Sequence, residues 1–113
     1  MKTEIWVSFN YGGWSLVYSK IIELPFTPFI GLDIIFNDEK EYSVTLNDNT
    51  YCSTIISYNL EKQQFEIEVR NAWKQPVTNE TVDYVIDQFS DWEKRHNTNI
   101  DDLKELMLRD YNR

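Results

Sequence analysis

The sequence predicts an α+β domain, an antiparallel β-meander of about six strands followed by a C-terminal helical hairpin packed on the sheet. Three observations predict it. Apolar and polar residues alternate from Ile5 to about Val69, the period of a strand with one buried face. From Thr78 onward the apolar residues recur at helical spacing,. Between the two regimes, Lys74-Gln75-Pro76 interrupts both patterns, because proline has no N–H to give to a ladder or a helix interior. The 113 residues fall within the usual size of one domain, so residues 1–113 read as a single unit, with the sheet in 1–73 and the two helices in 78–111.

The first strand carries Ile5, Val7 and Phe9 on one face, and Asn10-Tyr11-Gly12-Gly13 offers a glycine-bearing turn into a second,. There Trp14, Leu16, Tyr18, Ile22 and Leu24 share a face. Pro25 and Pro28 mark a corner or an edge, after which Phe29 to Phe36 reads as a third strand,. Turn residues at Asn37-Asp38-Glu39, Asn47-Asp48-Asn49 and Asn59 to Lys62 then set off strands near Glu41–Leu46, Tyr51–Tyr58 and Phe65–Val69,. The first helix, capped by Thr78 or Asn79, aligns Val82, Val85, Ile86, Phe89 and Trp92,. The second opens on Thr98-Asn99-Ile100-Asp101, a capping box with a short acid, and aligns Ile100, Leu103, Leu106, Met107 and Tyr111,. The short Arg95-His96-Asn97 connection folds the two helices back on each other,.

Pro28-x-x-Gly31-x-x-Ile34, followed by Tyr42-x-Val44 and hairpin-spaced strands, resembles the opening of small SH3-like barrels. A partly closed barrel of that kind is therefore the alternative architecture. Such barrels host many unrelated functions, so the resemblance implies no site.

Composition narrows the function classes. Nineteen acids against 11 bases give a net charge of −8, spread evenly, with ten acids to six bases in 1–77 and nine to five in 78–113. A negative field of this kind opposes phosphates and anionic lipid, so neither direct nucleic-acid nor membrane binding is expected. No apolar run approaches the roughly 20 residues of a membrane helix. The single cysteine, Cys52, has no intramolecular partner, and Met1-Lys2-Thr3-Glu4 leads straight into strand alternation instead of an apolar signal core; a cytoplasmic location is the expectation.

Catalytic and metal constellations are not expected. His96 falls in a polar turn, where an exposed imidazole is ordinary, and with one histidine and one cysteine no Cys/His zinc set can form. Cys52 lies between Tyr51 and Ser53 in a strand, the setting of a small core residue. Glu66 and Glu68 share a strand face at roughly 6.5–7 Å, a separation glycosidases use, but they flank each other instead of facing across a cleft. Gly12-Gly13 precedes a strand and lacks phosphate-loop spacing, and Asn47-Asp48-Asn49 lacks the glycine and distal glutamate of a calcium loop. Neither a cofactor nor a metal ligand set is predicted.

The faces turned away from the core carry the functional expectation. Val17, Ile21, Ile35, Tyr51, Ile55 and Trp6 make the second face of several strands partly apolar. The two helices are the simplest cover for it, and a partner or second subunit the alternative. On the far side of the first helix, Glu80, Asp83, Asp87 and Asp91 recur at helical spacing and form an acidic ridge, either a solvated face or a docking surface. The function that follows is a non-enzymatic acidic protein-interaction module, of accessory, inhibitor or immunity type, binding a basic protein through Trp6, Tyr51 and Trp73 as anchors and the four acids as steering groups. A homodimer is compatible with it. The alternatives are a nucleic-acid mimic built on the same acids, and a small-ligand binder or weak enzyme with an aromatic pocket lined by some of Trp14, Tyr18, Tyr58, Trp73 and Trp92.

Overall fold

In the computed structural model, which describes residues 1–36 and 42–111, the strand β1 (Lys2–Tyr11) is the spine of the protein. Its odd positions Ile5, Val7 and Phe9 are at most 1% exposed. It pairs antiparallel with β2 (Trp14–Glu23) across Gly12 and Gly13, whose φ of 51° and 87° are the values a tight turn demands and glycine accepts,. A side chain at Gly12 would also press on Leu106.

The expected meander gives way to a mixed sheet at the other edge of β1. There β6 (Gln64–Arg70) lies parallel, with Ile5 beside Ile67 and Val7 beside Val69, and β5 (Ser53–Asn59) pairs antiparallel with β6 through a hairpin. The strand order is β5-β6-β1-β2-β7, where β7 is Glu93–Lys94. The third and fourth expected strands contract to β3 (Asp33–Ile34) and β4 (Val44–Thr45), which form a separate two-stranded ribbon. Pro25 and Pro28 explain the excursion: neither can donate to a ladder, so the chain leaves the sheet at Leu24 and cannot pair back on β2,. The sheet does not close into a barrel. The turn expected at Asn37-Asp38-Glu39 and the strand start at Glu41 lie outside the described residues.

Helix α1 (Asn79–Gln88) starts where the sequence places it, with the Thr78 hydroxyl accepting from the Thr81 N–H and the Thr81 hydroxyl accepting from the Thr78 N–H. It ends one turn earlier than the apolar stripe. Phe89 is its C-cap, and Trp92 reaches the core through a turn held by its N–H on the Phe89 carbonyl. Helix α2 (Ile100–Tyr111) starts one residue later than the expected capping box. Asn99 accepts the Asp102 N–H at 3.1 Å, while the Thr98 hydroxyl donates to the Ser15 carbonyl. The helices are joined by 89–99, which contains β7, so the connection is a detour through the sheet instead of a tight hairpin turn.

Both helices and the β3–β4 ribbon bury their apolar sides on one face of the sheet. Val82, Val85, Phe89, Leu103 and Met107 meet Ile5, Val7, Phe9 and Leu16 there, with Tyr42, Val44 and Leu46 from the ribbon side. Phe89 is the hub, its ring centroid 5.3 Å from Phe9, 5.2 Å from Tyr18, 5.4 Å from Tyr42 and 4.8 Å from Trp92. Aromatic rings at these distances attract through their quadrupoles as well as by burial. The expectation that the helices would cover the second sheet face is overturned, because their stripes are spent on the first.

Candidate interaction surface

The open face of the sheet is built from the even positions of β1. Strand register sets Trp6 between Ser19 of β2 and Glu68 of β6, and Ser8 beside Val17. Glu68 then stands beside Ile55, and Glu66 beside Ser57. Together Trp6, Ser8, Val17, Ile55, Ser57, Glu66 and Glu68 line a depression of about 430 Å³. Of its apolar members Ile55 is 45% exposed while Trp6 and Val17 are half-buried, and Ile21, on the same face, is 57% exposed.

The Trp6 ring is held in place from two sides. Its indole N–H donates to Glu4 Oε1, and the Arg95 guanidinium lies 5.0 Å from the ring centroid, a cation–π contact. Arg95 is itself fixed by the Ser19 hydroxyl and the Glu93 carboxylate, both at 2.9 Å. Glu66 accepts from Asn59 at 2.6 Å and Glu68 from Arg70 at 2.8 Å. Each carboxylate is thus oriented by its own neighbour, and the two line a wall of the depression instead of facing each other across it.

The seven residues expected to carry interaction do not form one patch. Trp6 belongs to the open face, and Tyr51, 83% exposed, stands at the chain's entry to β5. Trp73 packs on Phe9 with centroids 5.1 Å apart and donates its indole N–H to the Asn10 carbonyl. The acids sit in the helical layer. Glu80, Asp83 and Asp87 lie on α1 and Asp91 in the turn beyond it. Asp83 pairs with Lys104 at 2.6 Å and Asp91 with Lys20 at 3.2 Å, so these two members of the ridge are partly neutralised. Arg95 was not legible as part of any site: it comes to Trp6 only because β7 pairs with β2, and two residues carry no periodic signal.

The remaining reactive side chains are committed to structure. His96 is half-buried, its Nδ1 2.8 Å from the Val17 N–H. The Val17 carbonyl, which accepts the Arg95 N–H at 2.8 Å, also lies 3.0 Å from Nδ1, so this ring nitrogen can accept from the Val17 N–H in one tautomer or donate to the Val17 carbonyl in the other. Burial, with a smaller push from Lys94, lowers its pKa against the opposing pull of the Val17 carbonyl. Cys52 is 8% exposed, and burial pushes its thiol up, away from the reactive thiolate,. Asn49 Oδ1 accepts the N–H groups of Tyr51 and Cys52, so this loop uses its oxygen on its own backbone,. Among the described residues no group of His, Cys, Asp and Glu is placed to hold a metal ion, and no helix is long and apolar enough to cross a membrane.

The aromatic residues expected around an internal pocket are dispersed. Tyr18 and Trp92 are core partners of Phe89, Tyr58 is 50% exposed on β5, and Trp14 lines a surface hollow with Leu106 and Arg109 of α2. No protein-family model, no curated protein and no solved structure matches the chain.

Proposed function

We propose that this protein is a non-enzymatic, acidic protein-interaction module that receives a basic partner on the open face of its sheet. One observation carries the reading: a tryptophan held by a hydrogen bond and a cation–π contact lines a depression of mixed polar and apolar character, with Val17 and Ile55 among its apolar lining and Glu66 and Glu68 on the wall. Interfaces favour an aromatic anchor in a desolvated centre with charges around it. The chain's net charge of −8 steers a cationic surface toward it and repels anionic ones. An apolar side chain of the partner flanked by lysine or arginine would fill the depression and meet both carboxylates.

The test is affinity capture from a lysate of the source organism with three tagged baits, wild type, Trp6→Ala and Glu66→Gln/Glu68→Gln, at low and high salt. The reading expects a stoichiometric basic protein on the wild type at low salt. Trp6→Ala should weaken its binding by about 2 kcal/mol, roughly 30-fold in Kd, and the double variant should reduce its salt sensitivity. Recovery of the wild-type bait alone, or a partner indifferent to Trp6→Ala, would overturn the assignment of this face.

A further inference from the structure

A second hollow, of about 480 Å³, lies where the start of α1 meets the end of α2, on the helical layer of the protein. The Tyr11 ring, Val77, Met107 and Leu108 supply its apolar lining, and Glu80 and Asp110 stand beside them. Leu108, which lies off the apolar stripe of α2, is 51% exposed there. The volume falls within the range of about 300–1,000 Å³ usual for small-molecule sites, which are mostly apolar with a few placed polar groups. It shares no lining residue with the Trp6 depression.

The polar groups of this hollow are short of hydrogen, not of oxygen. The Tyr11 hydroxyl donates to Asp110 Oδ2 at 2.9 Å. That bond raises the pKa of Tyr11, so the phenol keeps its proton, spends it on Asp110 and has only lone pairs left for a ligand. Among the described residues neither Glu80 nor Asp110 forms an ion pair. The two acids differ in setting. Glu80 lies in the first turn of α1, where a carboxylate offsets the positive end of the helix,. Asp110 lies in the last turn of α2, where the free carbonyls already carry partial negative charge,. The basic residue of that turn, Arg109, is engaged with Glu105 at 2.7 Å. The charge that lacks a counterpart is therefore the one at Asp110.

We infer that this hollow binds a small organic amine, its ammonium group between Asp110 and the Tyr11 hydroxyl and its apolar body on Val77, Met107 and Leu108. An ammonium carries donors and no acceptor, the complement of what the hollow offers. Two carboxylates repel an anion. A neutral apolar molecule would strip water from Asp110 and give nothing back. A bare metal ion would leave the apolar lining unused, and among the described residues no group of His, Cys, Asp and Glu is placed to hold one. Because the two hollows are separate, this site stands whether or not a protein partner binds at Trp6.

The experiment is a nuclear magnetic resonance titration of the isotope-labelled full chain in physiological salt. Three probes are compared: phenethylamine, its uncharged counterpart 2-phenylethanol, and spermidine, a cation without a compact apolar body. Phenethylamine should shift the amides of Tyr11, Val77, Met107 and Leu108 saturably, with a Kd of about 10 mM or tighter, an ordinary efficiency for so small a molecule. Both other probes should bind there at least about tenfold more weakly. Asp110→Asn keeps an oxygen for the Tyr11 hydroxyl while removing the charge, and should weaken phenethylamine at least about tenfold. Glu80→Gln changes the net charge equally and should weaken it less than about threefold. The dispersion of the amide spectrum shows in the same samples that each variant is folded. No saturable shift at these residues, 2-phenylethanol or spermidine binding as well as phenethylamine, or equal losses in Asp110→Asn and Glu80→Gln would overturn the inference.

Discussion

Replacing Phe89 by alanine tests which face of the sheet is sealed. The side chain is 2% exposed, and its ring meets Phe9, Tyr18, Tyr42 and Trp92 at centroid distances of 4.8–5.4 Å. Truncating a buried phenylalanine costs about 3–5 kcal/mol in lost transfer and residual cavity. Loss of several quadrupolar contacts, each worth about 0.5–1.5 kcal/mol beyond area, places this site at the upper end, about 4–5 kcal/mol. A chain of this length has a total stability of roughly 6–17 kcal/mol, so the variant should unfold at a urea midpoint lower by about 2 M or more. Phe89→Leu keeps much of the volume and should cost about 1–2 kcal/mol. Trp6→Ala, on the open face, should cost about 1 kcal/mol, from a hydrogen bond and a cation–π contact at a half-buried ring. Urea unfolding followed by far-ultraviolet circular dichroism measures all three. If Phe89→Ala costs less than Trp6→Ala, the helices do not pack as described, and the face assigned as open is the wrong one.

Two further substitutions check local assignments. Burial lowers the pKa of His96 below its ordinary 6.5, so between the native and unfolded pKa values the native state binds fewer protons than the unfolded chain. Its contribution is complete above the unfolded pKa and is lost as pH falls from there through the native value. Wild type should therefore lose stability relative to His96→Gln below about pH 6.5, and parallel pH profiles of the urea midpoint would refute this. At α2, Asn99→Ala should cost about 1 kcal/mol and Asn99→Asp almost nothing, since an aspartate caps equally well and suits the helix dipole. Equal losses in the two variants, measured by thermal unfolding, would show that Asn99 is not the cap.

What could be read from the sequence was which side of a strand faces inward, and what could not was which strand lies beside it. The alternation of Ile5, Val7 and Phe9, and of Ile67 and Val69, predicts their burial, and all five are at most 1% exposed. Period two is blind to neighbours, so the parallel contact of β1 with β6 carries no local signal. The same limit applies at helix ends. Phe89 and Trp92 continue the stripe of α1 as seen in the sequence, yet they reach the core through a C-cap and a turn. Thr98 and Asn99 are both competent N-caps, and the choice between them is made by the distant Ser15 carbonyl that takes the Thr98 hydroxyl,.

The candidate surface was half legible for the same reason. That Trp6, Val17, Ile21 and Ile55 lie off the core stripe follows from spacing alone, and the structure keeps them together on one face. Whether anything covers them depends on where the helices spend their apolar sides, and that is decided by Phe89. Its position at the end of α1 draws Phe9, Tyr18, Tyr42 and Trp92 into a single cluster. Once that cluster forms on the inner face, neither helix has an apolar side left for the outer one. The short β7 then adds Arg95 over Trp6, ordering the half-buried ring. A half-buried tryptophan fixed by a carboxylate and a guanidinium is the feature on which the proposed partner contact rests. Under the proposed reading, the acids of α1 and the turn after it, of which Asp83 is paired with Lys104 and Asp91 with Lys20, contribute to the long-range field instead of making the contact.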